Sequence, residues 1–110
     1  MAAPDGRAPE SPELRRLRRK IDALDRRIVS LLNERAELAR AVGRAKTAAG
    51  RRAIRDTDRE REVLLRVAVS NAGPLPQTDL LAMYRRLFAA TRALEAADRR
   101  RPQGADHGDA

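Results

Sequence analysis

Nine positions in the first half of the chain, Leu17, Ile21, Leu24, Ile28, Leu31, Arg35, Leu38, Val42 and Ala45, succeed one another in alternating steps of four and three. Eight of the nine are apolar, the signature of one continuous helix with a single hydrophobic seam. A helix from about residue 13 to 48 is roughly 50 Å long at a rise of about 1.5 Å per residue. A compact monomer of this size has a radius of gyration of only about 13 Å. Such a helix reaches well outside any single-chain globule and leaves its seam in water. The pattern therefore predicts a second chain laid along it.

Gly50 marks the end of that helix, as glycine does at C-terminal caps. A second helix is expected to start at Asp56 or Thr57 and run to about Ala72, with Val63, Leu64 and Val67 inward. Thr57 and Glu60, three apart, have the form of a capping box. The stretch NAGPLPQ (71–77) is a break. A third helix follows from about Thr78 to Arg100, its seam formed by Leu80, Tyr84, Leu87, Thr91 and Leu94. No stretch reads as a strand. The expected fold is all-α, one long and two shorter helices, assembled with a second chain into a bundle. The helical domain is expected over 13–101, between disordered tails at 1–12 and 102–110, which are rich in Pro, Gly, Ala and polar residues.

Composition removes several classes of function. There is no cysteine, so neither a disulfide framework nor a thiolate metal site can form. The longest apolar run, LLAMY (80–84), is far short of a membrane span, and no apolar segment follows the N-terminus, so a cytoplasmic protein without a membrane partner is expected. The lone histidine, His107, lies in the C-terminal tail with no fixed neighbour to make it a base or a metal ligand. The net charge of +8 calls for an anionic partner. Nucleic acid is one candidate, but Tyr84 and Phe88 are the only aromatic residues, too few for base stacking. A small polyanionic metabolite fits as well.

Two seam positions are polar where a core wants apolar groups. Arg35 interrupts the first stripe and Thr91 the third. A buried guanidinium needs a carboxylate or a ligand, and for Arg35 the alternatives are an ion pair with Glu34 or Glu37 of a neighbouring helix, or a bound anion. Lys46, one of only two lysines beside 22 arginines, follows Arg35 by 11 residues, three turns and about 20°, so both share a face. Glu95 follows Thr91 by four and shares its face. Asp56, Arg59 and Glu60 occupy the first turn of the second helix, where free N–H groups serve either capping or an anionic or hydroxyl ligand. Arg18 precedes Lys46 by 28 residues, about 42 Å along one helix, so the two meet at one small ligand only across an antiparallel partner chain.

With these residues in view, the chain closely resembles the all-helical class of chorismate mutase. The segments that carry the resemblance are LRRKIDALDRRIVSLLNERAELARAVGRAK (17–46), RDTDREREVL (55–64), GPL (73–75) and YRRLFAATRALE (84–95). The resemblance implies a cofactor-free Claisen rearrangement of chorismate to prephenate, on the route to phenylalanine and tyrosine. It also implies an intertwined homodimer of three-helix chains with two shared sites. In that scheme Arg18 is donated by the partner chain, and Arg35 and Lys46 bind the two carboxylates of the substrate. Lys46 and Glu95 flank the ether oxygen. Asp56, through its backbone N–H, and Glu60 hold the ring hydroxyl, Arg59 lies close by, and Thr91 sits near a carboxylate.

The physics of the reaction suits such residues, because a pericyclic shift needs a folded dianion and donors aimed at developing charge rather than a nucleophile, base or metal. The chain departs from the family pattern in two places. Glu95 donates a hydrogen bond only when protonated, which requires a raised pKa. The loop between Lys46 and Asp56 is one residue longer than common versions and has Ala53 where proline is frequent, which leaves Arg51, Arg52 and Arg55 without an assigned role. Two competing readings are an enzyme of the same fold acting on isochorismate or 4-amino-4-deoxychorismate, and a basic helical nucleic-acid-binding dimer. The latter leaves Asp56, Glu60 and Glu95 without a role. The sequence specifies no regulatory or synthase partner.

Overall fold

The computed structural model describes residues 8–51 and 55–101, and every regular element among them is helical: α1 (Pro12–Ala48), α2 (Thr57–Ser70) and α3 (Gln77–Arg100). The tails at 1–7 and 102–110, with His107, and Ala53 of the lengthened loop lie outside the described residues. The chain divides inside α1 into two units, residues 1–35 and 36–110.

In the first unit, α1 begins one residue earlier than expected, within the stretch read as tail. Ser11 caps it: the Leu14 N–H donates to Ser11 Oγ at 3.1 Å, and Pro12 takes the first helical position, where its missing N–H costs nothing. Glu13 adds a negative charge to the positive end of the helix. The seam read from the sequence is present and uncovered: Leu17, Ile21, Leu24, Ile28 and Leu31 are all exposed, and α1 buries none of its residues.

In the second unit, α1 stops at a Schellman motif. The Arg51 N–H donates to the Lys46 carbonyl at 2.8 Å and the Gly50 N–H to the Thr47 carbonyl at 3.0 Å, with Gly50 at φ +81°. Only glycine adopts that left-handed turn without strain. Helix α2 ends two residues before the expected Ala72, because Asn71 turns the chain: its Oδ1 accepts from the Gly73 N–H and its Nδ2 donates to the Leu75 carbonyl. Helices α2 and α3 pack together. Phe88 is the one buried side chain among the described residues, with Tyr84 edge-on at 6.2 Å. Val63, Leu64 and Val67 of α2 and Leu80, Leu87 and Leu94 of α3 are half-buried, on the faces the periodicity indicated. Both aromatic rings thus belong to this small core. Among the described residues no helix is long and apolar enough to cross a membrane, and no group of three His, Cys, Asp or Glu could hold a metal ion.

Candidate active site

The Schellman stop leaves Lys46 in the last turn of α1, where the negative end of the helix dipole favours a cation. The chain then re-enters a helix at Asp56. Its carboxylate, not Thr57, is the N-cap: the Arg59 N–H donates to Asp56 Oδ1 at 3.0 Å. The expected Thr57–Glu60 box is therefore not formed, since Thr57 is already the first helical residue and the cap is occupied. The other Asp56 oxygen, Oδ2, lies 3.5 Å from Lys46 Nζ. The Arg59 N–H is the main reason the Asp56 carboxyl is held below the usual carboxylate range, with the Lys46 and Arg51 charges adding to it against the cost of burial. At 3.5 Å the Lys46 contact is longer than the ~2.7–2.9 Å of a strong charge-assisted hydrogen bond, so the ammonium is guided rather than locked.

Released from the cap, Glu60 points its carboxylate at α3. Arg92 Nη1 donates to Glu60 Oε2 at 2.6 Å, while Arg55 Nε is 3.5 Å from Oε1. The Glu60 side chain is only 17% exposed and Arg92 28%, whereas Arg55 is 62% exposed. Arg92 is the firm partner.

Glu95 comes to α1 at Gly43. A Cβ placed on Gly43 would stand 3.5 Å from Glu95 Cγ and 3.6 Å from its Cδ, so the carboxyl lies against bare helix backbone, one turn before Lys46. Burial pushes the Glu95 carboxyl above the usual range; the Lys46 and Arg99 charges pull it down and the Asp98 charge pushes it up. The same two helices are joined next door by a bidentate pair: Arg40 Nε and Nη2 donate to Asp98 Oδ2 and Oδ1, both at 2.8 Å, and Arg40 Nη1 also reaches Glu37 at 3.0 Å. That pairing holds the Asp98 carboxyl below its ordinary range.

The structure thus brings Lys46 to Asp56, Glu95 to Gly43 beside Lys46, and Glu60 to α3. Thr91 turns its hydroxyl back along its own helix, donating to the Leu87 carbonyl at 2.9 Å, which satisfies a polar seam position locally. The Arg59 guanidinium does not join the cluster, since it pairs with Glu62 at 3.1 Å on an exposed surface. Arg18 and half-buried Arg35 belong to the first unit, where Arg18 pairs with Glu10. Sequence reasoning missed Arg40, Asp98 and Arg92, three charges among many on helix surfaces. Gly43 carried a signal: a glycine inside a helix costs roughly 0.5–1 kcal/mol relative to alanine, which implies a close neighbour.

This helical arrangement is that of solved chorismate mutases. Form II of the chorismate mutase from Thermus thermophilus superposes with a TM-score of 0.72 at 32% identity, covering 83% of this chain and 99% of that one, and form I gives 0.68 over 72% and 98%. Residues 17–96 match the chorismate mutase type II family, and the chain belongs to that family. Among curated relatives, the bifunctional chorismate mutase/prephenate dehydratase of Aquifex aeolicus is 39% identical over 87 residues, 76% of this chain and 24% of that protein. The enzyme of the same description from Escherichia coli is 53% identical over 51 residues, 46% of this chain and 13% of that one. The chain spans about a quarter of the length of the bifunctional relatives it matches most extensively. Every expected site residue, from Arg18 to Glu95, falls inside the matched stretch.

Proposed function

We propose that the chain is a chorismate mutase, an isomerase that converts chorismate to prephenate by electrostatic and conformational control of a Claisen rearrangement. The observation that carries this reading is Glu95 lying against Gly43, one helical turn before Lys46 and within reach of its charge, inside the stretch that matches the family. The rearrangement breaks the ether C–O bond as a new C–C bond forms, and negative charge grows on the ether oxygen. In this reading Lys46 donates to that oxygen, and Glu95 donates to it from the other side when protonated. Donors fixed before the reaction need no reorganisation as the charge develops, which is why such sites accelerate it. Glu60 accepts a hydrogen bond from the ring hydroxyl, and Asp56, through its backbone N–H, supports the same end of the substrate. Arg35 and Lys46 take the carboxylates, Thr91 and Arg59 line the approach, and the overall positive charge gathers a dianion.

The site is completed, on this proposal, by a second copy of the chain that supplies its Arg18 in an intertwined dimer. Support comes from the uncovered seam of α1: Ile21, Leu24, Ile28 and Leu31 are each more than half exposed in the single chain. An apolar row of that length in water marks an interface. A cytoplasmic setting belongs to the same reading.

Incubation with chorismate, following its absorbance and identifying the product, tests the activity. Prephenate is expected. Release of pyruvate, or no turnover at saturating substrate across a broad pH range, would remove the mutase reading. Subunit mixing tests the shared site. Arg18→Ala and Lys46→Ala, each inactive alone, regain activity together, because one site of the mixed dimer keeps both residues. Demonstrated subunit exchange without recovery would sink the donated-arginine scheme.

A further inference from the structure

We propose that Arg92 is a positioning and specificity-determining residue, holding Glu60 for a neutral ring hydroxyl and discriminating against a substrate with an ammonium in its place. This rests on the mutase reading and deepens it. Arg92 Nη1 is 2.6 Å from Glu60 Oε2, and both side chains are largely withdrawn from solvent, at 28% and 17% exposure. A carboxylate so enclosed needs a cationic partner, and Arg92 on α3 supplies it.

Two consequences follow from which oxygen is taken. Oε2 is committed to Arg92, while among the described residues Oε1 meets the exposed Arg55 at 3.5 Å, a loose contact that leaves it able to accept from a donor. A ring hydroxyl therefore meets Oε1 in a fixed orientation. The charge matters as well. A lone carboxylate would attract an ammonium more strongly than a hydroxyl, but here Glu60 is already neutralised by Arg92, with Arg55 adding a second positive charge nearby. An incoming ammonium finds like charge at short range, and like charges brought together out of water are strongly unfavourable. A neutral hydroxyl keeps its acceptor and meets no such repulsion. Arg92 thus turns a negative residue into a site for a neutral donor.

The test compares kcat/KM for chorismate with the competitive inhibition constant of 4-amino-4-deoxychorismate, in the wild type and in Arg92→Ala, Arg92→Gln and Arg92→Lys. Removal of the charge in the Ala and Gln variants is expected to weaken chorismate use and to strengthen binding of the amino compound relative to it, moving the ratio by about tenfold or more. Arg92→Lys, which keeps the charge, holds the ratio near the wild-type value even where absolute activity falls. A merely structural Arg92 would lower both quantities in parallel. An unchanged ratio in Arg92→Gln, or a ratio in Arg92→Lys equal to that of Arg92→Ala, overturns the proposal. Absence of wild-type turnover of chorismate overturns the mutase reading itself, and is told apart by needing no variant.

Discussion

Glu95 governs the pH behaviour proposed for the site, with burial and the neighbouring Lys46 charge acting on it in opposite directions. Glu95 donates only while protonated, and burial with help from Asp98 raises its pKa against the pull of Lys46 and Arg99. Activity is therefore expected to be full below that pKa and to fall as pH rises through it, while Glu95→Gln, a permanent donor, flattens the decline. Superimposable pH–kcat profiles for two active proteins would refute the role. The linkage sign for stability is the reverse of a salt-bridged acid: the folded chain prefers the neutral form, so ionising Glu95 above its unfolded pKa costs stability. Glu95→Gln should melt no lower than the wild type at neutral pH. Gly43 makes the neighbouring prediction. A Cβ there meets Glu95 at 3.5 Å, an ordinary contact, so Gly43→Ala is tolerated. A branched side chain needs the space the carboxyl occupies, and Gly43→Val is expected to lower kcat by about a hundredfold, the order of loss from misplacing a catalytic group by about 1 Å. Steady-state kinetics of the two variants decide it.

At the scale of elements, the start of α2 and the α1–α3 contact are each held by one aspartate. Asp56 both caps α2 and faces Lys46, and asparagine separates the two duties because it caps nearly as well but carries no charge. Asp56→Asn should keep the cap, lower Tm only slightly and alter activity, while Asp56→Ala, which loses cap and charge together, should lower Tm by roughly 4–8 °C. Asp56 and Asp98 both have depressed pKa values, so their stabilisation is present above the unfolded carboxylate pKa and lost as pH falls through the folded one. Acid titration of Tm should therefore flatten in Asp98→Asn, and an unaltered acid limb would show that the Arg40–Asp98 pair does not hold the helices. The three helices were legible because 3.6-residue periodicity runs through each, and Gly50 and the 71–77 break needed no tertiary information. Of the two starts the sequence allows, Asp56 and Thr57, the structure takes Asp56, and the Thr57–Glu60 box fails because the cap is occupied one residue earlier and Arg92 draws Glu60 away. Lys46, Glu60 and Glu95 stood out as a chemical pattern. Arg40, Asp98 and Arg92 did not, because a charge on a helix surface has the same local sequence whether it meets solvent or another helix.

For the whole molecule, the decisive fact is how little a single chain encloses: Phe88 alone is buried among the described residues. On the dimer reading the missing interior comes from the second copy, so folding and association are one event and Tm should rise with protein concentration. A concentration-independent Tm would count against it. Replacing Ile28, exposed in the single chain, by Glu is harmless if that face meets water and dissociating if it meets a partner, which sedimentation distinguishes. There is also a consequence for inheritance. In most small proteins substitutions are forgiven on the outside and punished within, and accessibility ranks the positions. On the dimer reading the ranking inverts along α1: leucines and isoleucines open to solvent in one chain become the positions least tolerant of change, while exposed arginines outside the proposed site, such as Arg26 and Arg27, vary freely. A saturation-mutagenesis survey would trace the partner's footprint on α1 as a stripe of intolerance repeating every three or four residues.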